Sequence, residues 1–232
     1  MVENYTIEFN DIVKRHASQL GLEDSDLHRF ISRLSKDNVA QVLVLEALTR
    51  PQQQTQPQRP RSSSRICVVN THLYSNHTRP EVKLWQTVTL LQEIEHFILN
   101  QDLALCMCGD FNSEPISAVY QYLSQYRLDE SNAKVEGEVL QVGLTRFDVW
   151  KGIWIVGTCL PWCGVMCIPC IICVYMLRCD VNVYQCLATA SARGLMHNIE
   201  LESAMLRVFG YEPEFTNYTR NFKGTLDYIW SV

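Results

Sequence analysis

The stretch Leu103–Pro115, with the sequence LALCMCGDFNSEP, joins an apolar run to a short polar segment. The apolar residues continue to Cys108, which predicts a buried strand that ends at Gly109. Ser113 is then the expected N-cap of a helix that has a proline in its first turn and continues through Leu123. A buried strand that leads into a helix is typical of a layered α/β core.

The sequence on both sides of this stretch predicts further strands and one long helix. YTIEFN near the start is strand-like, and more strands are predicted at Val39–Ala47, Ile66–His72 and Thr225–Trp230. Pro80–Asn100 is the best helix, because its apolar residues recur at helical spacing. This alternation of strands and helices predicts the α/β class.

Composition narrows the class of protein further. The 232 residues are 47% hydrophobic and 19% charged with a net charge of −5, which argues against a chain with a uniformly basic surface. The first residues are polar and predict no secretory signal. With no small disulfide-rich layout, the 10 cysteines indicate a reducing compartment.

The polar segment Gly109–Asn112, GDFN, is the most informative group for chemistry. A carboxylate and an amide two residues apart at a strand end can point into one cleft. The Asp110 carboxylate would deprotonate water or hold a divalent cation, and the Asn112 amide would donate to a phosphate oxygen. An Asx-type turn that caps the next helix explains the same residues, and both alternatives stay open here.

Two more polar residues lie near predicted strand ends. His72 would donate to a phosphate, although a lone histidine is more often satisfied by neighbouring backbone. Asp227 is flanked by apolar residues in TLDYIW, so we expect it to be partly buried with a partner. Asp227 either makes a structural hydrogen bond with that partner, or the partner is a catalytic histidine that Asp227 orients.

Four ordered blocks give a more specific indication: VVNTHL at Val68–Leu73, EVKLWQ at Glu81–Gln86, CGDFNSEP at Cys108–Pro115 and FTNYTRNFKGTLDYIW at Phe215–Trp230. Together they resemble the nuclease domain of carbon catabolite repressor type deadenylases. The resemblance, over about half of the chain, implies the endonuclease/exonuclease/phosphatase superfamily and its four-layered α/β sandwich.

The resemblance implies catalytic roles in a Mg²⁺-dependent 3′→5′ exoribonuclease. Asp110 would be the general base and a Mg²⁺ ligand. Asn112 would act at the scissile phosphate, and Asp227 would orient the histidine that stabilises the transition state.

The resemblance also implies how poly(A) RNA would be held. His72 and Asn112 would bind the scissile phosphate. Phe222 would pack on the terminal adenine, and Asn217 would contact the nucleotide beside it, because stacking with a few edge contacts selects adenine in single strands. Ordinary core packing is the alternative for Phe222.

The chain departs from the pattern of this family in places. The family's early asparagine, its first Mg²⁺-binding glutamate and its Ser-Asp-His block find no match, so we predict negligible turnover by this polypeptide alone. The predicted organisation is an incomplete nuclease domain over residues 1–232, a partial four-layered sandwich. It contains a low-complexity loop at 50–65 and a hydrophobic, cysteine-rich insertion at 146–186.

The uncharged stretch Gly152–Leu177 within that insertion is long enough for a membrane span, which needs about 20 apolar residues. One span would put Asp110 and Asp227 on opposite sides of a membrane, so we do not expect membrane insertion. Cys167, Cys170 and Cys173 lack the further ligands that a zinc set needs.

The functional prediction is therefore removal of poly(A) from mRNA, in the cytoplasm and secondarily the nucleus. The expected partners are poly(A) RNA and a deadenylase complex, and no DNA is expected. The alternatives are a non-catalytic remnant that binds RNA or protein, and a relative of the 2′,5′-phosphodiesterases or Angel-like phosphatases.

Overall fold

The computed structural model of the chain describes residues 1–19, 24–47, 65–99, 101, 103–128 and 195–232. The chain divides into two compact units, one of Met1–Tyr126 with His197–Val232 and the other of Arg127–Met196. The predicted insertion at 146–186, and the predicted loop at 50–65 except for its last residue, lie outside the described residues. Within the described ranges, no helix is long and apolar enough to cross a membrane.

The described residues form ten strands and five helices. The strands are β1 (Glu3–Glu8), β2 (Val39–Glu46), β3 (Arg65–His72), β4 (Ala104–Asp110), β5 (Arg127–Leu128), β6 (Leu195–Met196), β7 (Glu202–Ser203), β8 (Asn217–Tyr218), β9 (Lys223–Gly224) and β10 (Asp227–Ser231). The helices are α1 (Phe9–Gln19), α2 (Asp24–Leu34), α3 (Pro80–Ile98), α4 (Ala118–Gln125) and α5 (Ala204–Phe209).

The first unit is built on a six-stranded sheet with the order β1-β2-β3-β4-β10-β7. β3 and β4 are parallel neighbours, and α3 connects them, whereas the other pairs in the sheet are antiparallel. β8 and β9 form a separate hairpin, and β5 pairs with β6 in the second unit. The predicted α/β class is confirmed.

The two faces of the sheet differ in polarity because side chains alternate along each strand. In β2, Ala40, Val42 and Val44 are fully buried, whereas the residues between them are exposed or half-buried. The buried face continues across the sheet through Val69, Met107 and Trp230. The opposite face is half-buried or exposed and carries the polar residues of the GDFN strand.

Helix α3 begins and ends close to the predicted bounds but is buried more completely than an amphipathic pattern predicts. A proline occupies its first turn. From Val82 to Leu91 the residues are buried on every side, including the polar Lys83, Gln86, Thr87 and Thr89. The helix is therefore an internal element, and each buried polar group on it needs a partner.

Helix α4 begins four residues later than the predicted N-cap at Ser113 would place it. The cap is Ser117, whose hydroxyl accepts a hydrogen bond from the Tyr120 amide at 3.2 Å. Ser113 is buried, and a turn closed by the Ser117 amide and the Glu114 carbonyl at 2.9 Å precedes the helix. The prediction was wrong because two serines lie within five residues, and it is the Ser117 hydroxyl that accepts from an amide of the first turn.

Thr71 of β3 and Gly109 of β4 are paired across the parallel ladder, and their backbones are in close contact there. Gly109 has φ +142°, and a Cβ atom placed on it would lie 1.8 Å from the Thr71 carbonyl oxygen. Only glycine satisfies both conditions, so this residue sets the distance between the two strands.

Replacing Gly109 with alanine should therefore destabilise the fold by about 3 kcal/mol or more, because backbone strain adds to a clash between two strands. Denaturant unfolding measures the change in the free energy of unfolding. Gly210→Ala is the matched control, since Gly210 also has positive φ (80°) but nothing lies within 4 Å of its added Cβ. We expect a loss of only about 1 kcal/mol there, from conformational strain alone. Equal losses in the two variants would contradict the steric explanation.

His16 is a buried titratable group at the contact of α1 with α3. Its ring meets the Trp85 ring edge-on, with centroids 6.0 Å apart, and burial, aided by the neighbouring Arg15, lowers its pKa from 6.5 to about 4. The folded state therefore favours the neutral imidazole.

This pKa shift predicts that stability falls as the pH is lowered from about 6.5 to about 4. In that window the unfolded chain binds more protons than the folded chain, so the free energy of unfolding rises with pH. One such group contributes at most about 1.4 kcal/mol per pH unit. Urea unfolding at several pH values should show a shallower slope for His16→Gln than for the parent. Identical slopes in the two proteins would show that His16 does not contribute to the pH dependence of the free energy of unfolding.

Candidate active site

Three predicted site residues form a row across neighbouring strands. In the parallel ladder His72 pairs with Asp110, and in the antiparallel ladder Asp227 pairs with the same Asp110. All three lie on the sheet face opposite the buried core, at the end where β3 and β4 finish. Residues far apart in sequence therefore become direct neighbours through strand register.

Asp110 is at the centre of this row. One carboxylate oxygen, Oδ1, accepts a hydrogen bond from the Asn112 backbone amide at 2.8 Å, and Oδ2 lies 3.6 Å from His72 Nε2. Burial raises the pKa of Asp110, and the nearby Asp227 adds to this increase. The Asn112 amide, His72 and Lys83 act in the opposite direction. A held carboxylate with an elevated pKa is suited to accept a proton.

Asn112 turns the chain sharply after β4. Its backbone has φ 47°, a left-handed conformation that asparagine tolerates better than most residues. Its side-chain Nδ2 donates to the Leu73 carbonyl at 2.8 Å, which ties this loop to the loop after β3. An amide nitrogen carries two hydrogens, so one remains for another acceptor. Asn112 is thus both the turn residue and an available donor.

Asp227 differs from the sequence-based expectation. We expected it to be partly buried, but its side chain is exposed. The expectation was wrong because Asp227 lies on the opposite face from its buried neighbours Tyr228 and Trp230, so apolar flanking residues do not bury it. Its backbone amide donates to the Thr216 hydroxyl at 3.0 Å.

Asn217 and Phe222 lie in the β8–β9 hairpin rather than in the row. Thr216 joins the hairpin to the start of β10, since its hydroxyl accepts from the amides of Leu226 and Asp227. Phe222 is half-buried and is not in the core. A Cβ on Gly224 would lie 2.7 Å from the Phe222 ring and 3.0 Å from Glu114 Oε1, so the ring lies directly over this glycine.

With this geometry established, comparisons with known proteins show which proteins the chain is related to. It is 30% identical over 229 residues to carbon catabolite repressor protein 4 homolog 1 of Arabidopsis thaliana, covering 99% of this chain and 33% of the relative. It is 26% identical over 260 residues to the CCR4-Not complex 3′-5′-exoribonuclease subunit Ccr4 of Aspergillus niger, covering 99% of this chain and 29% of that protein. The chain is a homologue of the carbon catabolite repressor 4 proteins.

A solved structure supports the same relationship. ANGEL2, a 2′,3′-cyclic phosphatase crystallised with adenosine-2′,3′-vanadate, matches 99% of this chain and 55% of its own chain, with 25% identity and a TM-score of 0.54. The expected endonuclease/exonuclease/phosphatase type of α/β fold is confirmed. No protein-family model matches the chain. The chain spans about a third of the length of the curated carbon catabolite repressor 4 relatives.

The donor set of this carbon catabolite repressor 4 homologue fits Mg²⁺ only in part. Asp110 and Asp227 offer hard carboxylate oxygens, and Mg²⁺ is often held by one or two carboxylates together with substrate phosphates and water. Over the described ranges, no group of three or more His, Cys, Asp or Glu side chains is placed to hold a metal ion. The two carboxylates are therefore a partial site.

Sequence analysis missed three polar residues that support the site. Lys83 Nζ donates to the Asn112 carbonyl at 2.6 Å. The Gln86 Oε1 accepts from the Tyr74 amide at 2.9 Å, and its Nε2 donates to Asn38 Oδ1 at 3.1 Å. The signal for two of them was present in the sequence, because Lys83 and Gln86 interrupt the apolar residues Val82, Leu84 and Trp85.

The contact between Gly224 and Phe222 yields a prediction for the hairpin. Gly224→Ala should displace the Phe222 ring, because a ring edge cannot retreat as easily as the end of a flexible side chain. We expect a changed ¹³C chemical shift for the Phe222 ring and a stability loss of about 1 kcal/mol. Glu114→Ala is the control, since removing that carboxylate leaves the ring contact in place. An unchanged Phe222 signal in Gly224→Ala would contradict the prediction.

Proposed function

We propose that the chain carries the substrate-binding residues and part of the catalytic residues of a poly(A)-specific 3′→5′ exoribonuclease. The observation that supports this best is the register-aligned row of His72, Asp110 and Asp227 with Asn112 beside it. A base, a phosphate-binding imidazole and an amide donor then lie at one sheet edge, as in-line attack on a phosphodiester requires.

Each residue has a definite task in this proposal. Asp110 accepts the proton of the attacking water, with its carboxylate held by the Asn112 amide. His72, whose side chain is 67% exposed, and the second amide hydrogen of Asn112 hold oxygens of the scissile phosphate. Phe222 stacks on the terminal adenine and Asn217 contacts its neighbour, which would select adenine in a single strand.

Mg²⁺ is part of the proposal through Asp110, with Asp227 beside it. When bound, the ion would neutralise charge that develops on the phosphate oxygens. Because no group of three or more His, Cys, Asp or Glu side chains among the described residues is placed to hold a metal ion, we propose that turnover by this chain alone is very slow.

The biological setting is proposed from the relatives. The Aspergillus protein is named as a subunit of the CCR4-Not complex, so we propose that this chain acts with a deadenylase complex on mRNA. The cytoplasm is the first compartment in which to look for it, and the nucleus the second.

Long incubation of the purified chain with a labelled oligo(A) strand and Mg²⁺ tests the activity. The expected result is loss of nucleotides from the 3′ end so slow that only long incubation detects it, and no detectable loss in Asp110→Ala, because that substitution removes the proposed base. Phe222→Ala should instead weaken binding of oligo(A) relative to oligo(C), because it removes the stacking ring.

Two outcomes would overturn this proposal. Trimming that is equal in the parent and in Asp110→Ala would mean that the row is not the active site. Binding of oligo(A) by a folded sample without any Mg²⁺-dependent trimming would favour a non-catalytic RNA-binding protein.

A second candidate function follows from the match to ANGEL2. That protein is a 2′,3′-cyclic phosphatase, and its structure matches 99% of this chain. Adenosine 2′,3′-cyclic phosphate is the discriminating substrate, because it has no 3′-linked nucleotide to remove. Asp110-dependent opening of its ring, without trimming of oligo(A), would select the phosphatase function.

A further inference from the structure

Helix α3 and the two loops of the site are joined in a closed circuit of hydrogen bonds. Lys83 Nζ donates to the Asn112 carbonyl at 2.6 Å, and Asn112 Nδ2 donates to the Leu73 carbonyl at 2.8 Å. The next residue, Tyr74, donates its amide to Gln86 Oε1 at 2.9 Å, which returns the circuit to the same helix. Lys83 and Gln86 lie on neighbouring positions of one helix face, three residues apart.

The two helix residues of this circuit are deeply buried. Gln86 is 0% exposed and Lys83 is 8% exposed, in a helix whose other buried residues are mainly apolar. Removing an amide and an ammonium group from water costs free energy unless hydrogen bonds compensate. The compensating acceptors and donors here are backbone groups of the two loops, so burial of these side chains and the geometry of the loops depend on each other.

The circuit extends to Asn38, which directly precedes β2. Gln86 Nε2 donates to Asn38 Oδ1 at 3.1 Å, and Asn38 Nδ2 donates to the His72 carbonyl at 2.8 Å. The backbone on each side of Leu73 is therefore fixed from α3, and Leu73 itself donates its amide to the Asp110 carbonyl at 2.9 Å.

The hydrogen bonds of this circuit restrain both the backbone and the side chain of Asn112. Its left-handed backbone, φ 47°, is uncommon for a residue with a side chain, and it persists where surrounding contacts determine it. The Lys83 ammonium holds the carbonyl of this residue, and Leu73 takes one of its two amide hydrogens. The orientation of the remaining amide hydrogen is thus set by both contacts.

We propose that Lys83 is a positioning residue that acts through Asn112, holding the Asn112 amide so that its free hydrogen meets an oxygen of a bound phosphate ester. The assignment of a phosphate ester rests on the proposed function, whereas the positioning of Asn112 does not. Lys83 is not a catalytic residue in this proposal, since it acts through its hydrogen bond to the Asn112 carbonyl.

The test uses two substitutions of Lys83 and one matched control in the full chain. Lys83→Met keeps the length and burial of the side chain without the donor, and Lys83→Gln keeps a donor without the charge. Thr87→Val is the control, because Thr87 is also buried on α3 but its hydroxyl donates to the Lys83 carbonyl, at 2.9 Å, within the helix. Thermal unfolding of each variant first identifies any general loss of stability.

The first measurement is independent of any activity. In ¹H–¹⁵N spectra the side-chain amide of Asn112 is identified by its loss in Asn112→Ala. Lys83→Met should shift or broaden that signal, Lys83→Gln should do so less, and Thr87→Val should leave it unchanged. An Asn112 amide signal that is the same in Lys83→Met and the parent would overturn the positioning role.

The second measurement is a double-mutant cycle on the affinity for adenosine 5′-monophosphate, which does not require Asp110 to accept a proton. Lys83→Met alone should lower this affinity by about 10- to 100-fold, a typical cost of a misplaced contact group. In an Asn112→Ala background Lys83→Met should change the affinity less than about twofold, because the residue through which it acts is gone. Additive losses would overturn the proposal. If Lys83→Met moves the Asn112 signal but the parent binds no adenosine 5′-monophosphate, the proposed function fails and the positioning of Asn112 stands.

Discussion

The close approach of β3 and β4 at Thr71 and Gly109 determines where the candidate site residues lie. A side chain at position 109 would meet the Thr71 carbonyl oxygen at 1.8 Å, so the parallel ladder forms at this spacing only with glycine. The next residue on each strand is a site residue, His72 on β3 and Asp110 on β4. One glycine therefore links the packing of the sheet to the distance between an imidazole and a carboxylate.

The same sheet separates two physical tasks between its faces. One face is apolar and buries Val42, Val69 and Met107 beneath the helices, which provides the stability. The other face carries Asp110 and Asp227, which are paired across β4 and β10. Strand alternation places a carboxylate one residue away from a core side chain without exposing the core, so both carboxylates lie on paired strands rather than on loops.

The sequence allowed prediction of features that depend on local pattern, but not of features that depend on tertiary contacts. The strand before GDFN, the long helix after Pro80 and the polar residues at strand ends followed from periodicity and position. The burial of Asp227 was predicted wrongly, because flanking apolar residues indicate a strand and not which face a residue occupies. The role of Lys83 was missed, because its partner is a backbone carbonyl 29 residues away that no side-chain pattern encodes.

Two adjacent carboxylates on one face also limit what can cover that face. Burial raises the pKa of the half-buried Asp110, and the exposed Asp227 adds to this increase. Water around Asp227 screens part of the repulsion between the two carboxylates. Any layer or ligand that displaces this water strengthens the repulsion unless it brings positive charge or hydrogen-bond donors. An apolar cover would push Asp110 towards its neutral, non-basic form, whereas a cation with a phosphate ester would favour the ionised form. The electrostatics of the row thus select the kind of occupant that the proposed chemistry requires.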